Sequence, residues 1–262
     1  MYEEEVFSAN YALWWSPDSS KVAYLTLDET AVPEFTFPIY NPTLDSTAVI
    51  PYTKDVSMKY PKPGYNNPLV SVHVFDLGNH LTHDASLGRP IAEDIITLDW
   101  NHRHPSDNSI ISEVTWVGNT SLIVKEVNRN ADHGNVVLFE LGDANLLTRA
   151  QGNVVRTLGK SGEQGDSGWI DHVRAFTSLF FPHAHSWLTL SFLQEQTIYP
   201  VPAGLGSFAG TNAYLDIVPT PEGFNHIALF SPANSDTPRF LTDGEWEVTG
   251  GIKGVDAKKG LV

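Results

Sequence analysis

Three adjacent carboxylates, Glu3-Glu4-Glu5, stand directly ahead of Val6-Phe7 and shortly before the aromatic stretch Tyr11-Ala12-Leu13-Trp14-Trp15. Carboxylates this close raise one another's pKa unless a cation sits between them. A pair of them in a cleft is therefore a receptor for an ammonium group. The same triplet also reads as an exposed, charged turn with no ligand, the usual fate of a run of like charge. By residue type alone both readings stand open. Because apolar and aromatic residues follow at once, part of the run must adjoin folded structure.

Other candidate chemistry is thinner. No Gly-x-Ser-x-Gly elbow occurs in the chain: in Gly204-Leu205-Gly206-Ser207-Phe208-Ala209-Gly210, Leu205 stands two before the serine. Gly159-Lys160-Ser161 ends like a phosphate-binding loop, but Val154 occupies the place of its opening glycine. Among ten histidines, His102/His104 and His183/His185 form close pairs. A metal site needs three or more ligands with orienting partners, so these read as loop or surface histidines and no metal or other cofactor is expected. Asn119-Thr120-Ser121 is a glycosylation sequon on an expected hairpin turn. Gly168-Trp169-Ile170-Asp171-His172-Val173-Arg174 mixes aromatic, apolar and basic residues. As structure, Trp169 anchors the return of a loop to the core; as function, Arg174 reaches into a cavity.

Composition narrows the classes. The 262 residues carry a net charge of −15, with 41% hydrophobic and 18% charged residues. That fits a folded chain and disfavours nucleic acid as a partner, since phosphate binding needs clustered cations. No cysteine is present, which excludes disulfides, thiolate metal sites and cysteine nucleophiles. Met1 is followed by acidic residues where a secretory leader needs a basic and then an apolar stretch. The chain thus reads as cytosolic or as a piece of something longer.

The elements that would position these residues are strands. Ala12–Trp15 and Val22–Leu27 flank Ser16-Pro17-Asp18-Ser19, whose residue types favour a tight turn. Leu69–Leu77 alternates at period two, Glu113–Val117 and Ser121–Val127 form a second hairpin, and Asn135–Leu141 continues it. Ser186–Leu193, Tyr214–Val218, His226–Phe230 and Phe240–Val248 follow. Helix should be scarce. Many short strands separated by turns fit a sandwich, a barrel or a propeller. The near-equal spacing of inner strands ending at Trp15, Trp116 and Val218 favours propeller blades over a sandwich, with further blades centred near Leu69–Leu77 and Ser186–Leu193. Asp28–Asn67, rich in Pro and Tyr, is expected as long ordered loops, and Gln151–Ser167 as a mobile surface loop.

Tyr2-Glu3-Glu4-Glu5-Val6-Phe7, Ala12-Leu13-Trp14-Trp15-Ser16-Pro17-Asp18 and Tyr60-Pro61-Lys62-x-Gly64 together resemble the β-propeller region of the dipeptidyl peptidase IV family of serine exopeptidases. Asn67-Pro68, Glu113-Val114-Thr115-Trp116, Gly168-Trp169 and Gly244-Glu245-Trp246-Glu247-Val248 match in the same order, and the wording is most similar to the fungal branch. The resemblance implies an all-β chain forming part of an eight-bladed propeller, about four blades of ~50 residues each over residues 1–262. It implies that the α/β-hydrolase domain with its Ser-Asp-His triad is absent, so the chain is a fragment or truncated gene product, inactive by itself.

The resemblance also implies roles. Glu4 and Glu5 match the carboxylates that hold a substrate's free α-ammonium while dipeptides ending in Pro or Ala are released. Val173 and Arg174 fall near the pocket for the substrate's first residue, where Val173 replaces the family's aromatic. The implied partners are peptide N-termini and, in the whole protein, a possible second copy as a homodimer. The implied location is secreted or membrane-anchored, vacuolar or at the cell surface. A non-enzymatic propeller scaffold, or a glycosidase using two carboxylates, remains an alternative reading. Half a propeller would expose raw blade faces, so poor solubility is expected of the isolated chain.

Overall fold

The computed structural model describes residues 6–7, 9–82, 94–142, 148–163, 168–170, 197–202, 205, 212–256 and 258–262. Strand β1 (Leu13–Trp15) turns back into β2 (Lys21–Asp28). Asp18 closes the turn: one carboxylate oxygen accepts from Ser16 Oγ at 2.8 Å, Ser20 N at 3.1 Å and Ser20 Oγ at 2.8 Å. The Ser-Pro-Asp-Ser signature therefore does what its residue types predict. Strand β2 pairs along its length with β5 (Leu69–Asp76), which pairs with β6 (Ile95–Trp100). Ala23, Val70, Val72, Val74, Ile96, Leu98 and Trp100 alternate onto one buried face. Helix α1 (Leu77–Thr82) follows β5.

A second four-stranded antiparallel unit follows: β7 (Ser109–Trp116), β8 (Ser121–Asn128), β9 (His133–Glu140) and β10 (Arg149–Gly159). Strand β10 serves both units. Arg149–Gly152 pair parallel with β6, and Asn153–Gly159 pair antiparallel with β9, so eight strands are continuous. Gly152 sits where β10 changes partner. A Cβ there would stand 2.6 Å from both a Phe139 ring carbon and a Val137 methyl. Gly152→Ala should accordingly cost about 1–3 kcal/mol through overpacking, read as a lowered midpoint in chemical denaturation; an unchanged midpoint would refute the close approach. The Trp116 indole donates to Trp14 O at 3.0 Å, and Trp100 packs edge-on against Phe139, so one apolar core runs through both units.

The third unit, β11 (Tyr199–Pro200), β12 (Tyr214–Pro219), β13 (Asn225–Phe230) and β14 (Arg239–Phe240), is a separate sheet. Tyr214, Val218, Ala228 and Phe230 pack with Val117, Ile123, Val136, Leu138 and Leu158 of the second unit.

Several expectations change. Asp28–Asn67 is not loop alone: β3 (Glu34–Ile39) and β4 (Lys54–Lys59) pair in a two-stranded arm. Pro38 lies inside β3, tolerated because a two-stranded arm has only edges. Leu69–Leu77 is not a separate blade but joins β2, the arm being what stretches the interval from Trp15 to Trp116. Val218 lies in β12, the second strand of its sheet, which the short β11 precedes. Gln151–Ser167 is no mobile loop as far as Gly159: Val155 and Leu158 are buried, and Arg156 is neutralised by acids. Beyond Phe240 the expected strand breaks at Asp243-Gly244, where Gly244 has φ 117. Strand β6 was not apparent in the sequence, and Ser186–Leu193 lies outside the described residues.

Candidate functional site

Glu4, Glu5, Val173 and Arg174 lie outside the described residues, as do His183 and His185; the nearest described positions are Val6, next to Glu5, and Ile170, three residues before Val173. Phe7 is buried and meets Trp14 edge-on, ring centroids 5.2 Å apart, and Val6 packs on the same core. Consecutive Cα atoms are about 3.8 Å apart, so Glu5 starts one residue from an anchored position. On the other side, Ile170 N donates to Ala131 O at 2.7 Å, and its side chain packs on the second core. Gly134 makes room for it: a Cβ there would stand 3.0 Å from Ile170 Cδ1 and 2.7 Å from Glu126 O. Trp169, expected as the anchor, is 54% exposed; the smaller Ile170 takes that place. Arg174 follows four residues later, within ~14 Å of chain reach.

Pairing directions relate the two anchors. From β1 each neighbour reverses through β2, β5 and β6; β10 runs parallel to β6; then β9, β8 and β7 reverse again. Strands β1 and β7 therefore run the same way. The chain enters β1 from the face where β5 and β7 begin and β6 ends, and that face also carries the β8–β9 turn with Ile170.

Buried polar groups hold the loops of this face. Glu126 is fully buried and accepts four hydrogen bonds, from Trp100 Nε1 (2.9 Å), Asn135 Nδ2 (3.2 Å), His104 N (3.0 Å) and Ser109 Oγ (2.6 Å). Such saturation offsets the loss of water around a buried carboxylate. His104 is thereby held through its backbone, and the His102 carbonyl accepts from Asn135 Nδ2 at 3.3 Å, so both belong to a stapled loop. Arg129 N donates to Asn108 Oδ1 at 2.9 Å, and its guanidinium donates to the carbonyls of Tyr65 and Lys62. The Tyr60–Gly64 motif is thus tied to the β8–β9 turn. Arg103 donates to Val70 O at 2.6 Å and lies over the Trp100 ring. None of Glu126, Arg129 or Arg103 was singled out from the sequence; a glutamate inside the apolar run Leu122–Val127 is the one signal that could have been used.

Asn119 is exposed on the β7–β8 turn, at the opposite end of the strands. The third residue of its sequon, Ser121, is buried and bonds to Glu140 Oε2 at 2.8 Å.

Residues 1–262 match the family described as "Dipeptidyl peptidase IV (DPP IV) N-terminal region". A protein of Uncinocarpus reesii named "Probable dipeptidyl-aminopeptidase B" is 32% identical over 265 residues, covering 100% of this chain and 24% of that protein. "Dipeptidyl-aminopeptidase B" of Aspergillus niger is 30% identical over 267 residues, covering 100% of this chain and 25% of that protein. The chain thus spans about a quarter of the length of these relatives. The crystal structure of Porphyromonas gingivalis dipeptidyl peptidase 4 superposes with a TM-score of 0.61 at 21% identity, over 98% of this chain and 27% of that one. The shared fold makes the three four-stranded units blades of a β-propeller. The chain belongs to the family of dipeptidyl peptidase IV N-terminal regions.

Proposed function

We propose that this chain is the substrate-recognition part of a dipeptidyl peptidase, with Glu4 and Glu5 receiving the α-ammonium of a peptide and Val173 and Arg174 bordering the pocket for its first residue. The observation that carries the reading is the family match over residues 1–262, with the acidic triplet joined directly to the core-anchored Val6-Phe7. An ammonium between two carboxylates makes charge-assisted bonds. Its distance from the scissile bond then counts off two residues, and release of Xaa-Pro or Xaa-Ala dipeptides follows from that ruler. Hydrolysis is supplied by a Ser-Asp-His triad outside residues 1–262. A glycan on Asn119 would project from the far end of the strands and leave the recognition face open.

The test places this chain in the matching quarter of the Uncinocarpus reesii relative and compares an Ala-Pro peptide bearing a free or an acetylated N-terminus. Only the free amine should be cleaved efficiently, with a preference of about 100-fold or more, consistent with losing one or two bonds to a charged group. Equal turnover of both would sink the ammonium receptor and leave a propeller scaffold as the better reading.

A further inference from the structure

We propose that the second blade carries a preassembled pair of cations, Lys125 and Arg156, which seats Asp216 of the third blade, and that this carboxylate key sets how the two blades join. The first two blades are sewn together by backbone pairing of β6 with β10, whereas the third is a sheet of its own. Among the described residues, the second and third blades are joined by apolar packing, which is non-directional, and by polar contacts such as Asn212 Nδ2 to Ser121 Oγ and Arg156 to the Tyr214 hydroxyl. The buried charges give this joint its strongest direction.

Each cation already has an acid from its own side. Lys125 Nζ lies 3.1 Å from Glu113 Oε2 across the β7–β8 pair, and Arg156 makes two bonds to Glu163 just beyond β10, at 2.6 and 2.7 Å. Two positive and two negative charges balance, so the second blade needs no outside acid to fold. Both cations keep a direction open towards the third blade, where Asp216 Oδ2 accepts from Arg156 at 2.8 Å and lies 3.6 Å from Lys125 Nζ. Its other oxygen accepts from Ile217 N at 2.9 Å. Thr197 closes the arrangement, accepting from Lys125 Nζ at 2.6 Å and donating to Glu113 Oε2 at 2.8 Å. The Lys125, Arg156, Glu113 and Asp216 side chains are all buried. Burial raises the Asp216 pKa, but the charges of Lys125 and Arg156 outweigh this and keep the carboxyl below its ordinary value.

The seat accepts one register. Tyr214 and Val218 share the buried side of β12 with Asp216. A slip by two residues would offer the cations a phenol or an isopropyl group, and a slip by one would turn the carboxylate to the other face. Either leaves buried cations short of an acceptor, which is costly.

Hydrogen exchange on the 262-residue chain tests this, with Asp216→Asn compared against Glu163→Gln. Both remove one carboxylate from Arg156, but only the first lies across the joint. Asp216→Asn should fold, because the second blade remains balanced, and should speed exchange of β12–β13 amides by about 10-fold or more with little change in β8–β9. Glu163→Gln should show no such preference for the third blade. The proposal is overturned if Asp216→Asn does not fold, if β12–β13 stay as protected as before, or if β8–β9 and β12–β13 loosen together.

Discussion

Replacing both Glu4 and Glu5 by Gln in the chimeric peptidase should lower kcat/KM on a free-amine Ala-Pro peptide by about 10²- to 10⁴-fold. A hydrogen bond to a charged group contributes roughly 1.5–3 kcal/mol, and two of them, converted at about 1.4 kcal/mol per tenfold, span that range. Single replacements should fall near 10- to 100-fold by the same arithmetic. Acetylated peptide, which offers no ammonium, should be cleaved equally slowly by wild type and variant. That contrast separates a lost receptor from a damaged fold, because misfolding would depress both substrates. If the loss appears in KM with kcat unchanged, the ammonium is held equally in the ground and transition states. Free-amine turnover unchanged in the double variant would remove Glu4 and Glu5 from recognition. Glu3 serves as the internal control: Glu3→Gln should leave both substrates as they were.

Lys125→Met should destabilise the chain by about 3–5 kcal/mol, the cost of leaving partners of a broken buried ion pair uncompensated. Glu113 and Asp216 both face Lys125, at 3.1 and 3.6 Å, and are among the least exposed acids of the chain. Methionine fills much of the lysine's volume, so the loss reports charge rather than a cavity. Lys160, whose side chain is 56% exposed in its pair with Asp132, provides the comparison, since water screens such a pair. Lys160→Met should leave the urea midpoint where it was. Equal midpoints for Lys125→Met and the wild type would mean that the buried seam contributes nothing measurable.

Legibility in the sequence divided along physical lines. Local signals carried the turn at Ser16–Ser20, the β7–β8 hairpin and the β12–β13 hairpin, because side-chain alternation and turn residues act over a few positions. Strand β10 was missed since Gly152 and the charge of Arg156 look like loop residues until Phe139 presses on one and Glu163 and Asp216 neutralise the other. The arm was missed because its proline and tyrosines suit a loop as well as an edge strand. Trp169 is the larger apolar residue, yet the backbone bond of Ile170 to Ala131 decides which of the two docks. For the candidate site, the proposal of Glu4 and Glu5 rests on a family resemblance and not on physics, which leaves an exposed turn open as the alternative. Lys125 and Glu126 are charges inside an apolar strand, a signal the sequence reading did not use, and their partners come from distant strands and loops that no local pattern connects.

Strand β10 has a mechanical consequence. A tensile pull reaching residues 149–152 is shared between β6 and the remainder of the strand on β9, and it runs along parallel neighbours that resist in shear. Shear loads several backbone hydrogen bonds at once, where peeling an edge strand loads them one after another. Under stretching, the rim between the first two blades should therefore be among the last parts of the sheet to give way, and extension should begin where no strand is shared.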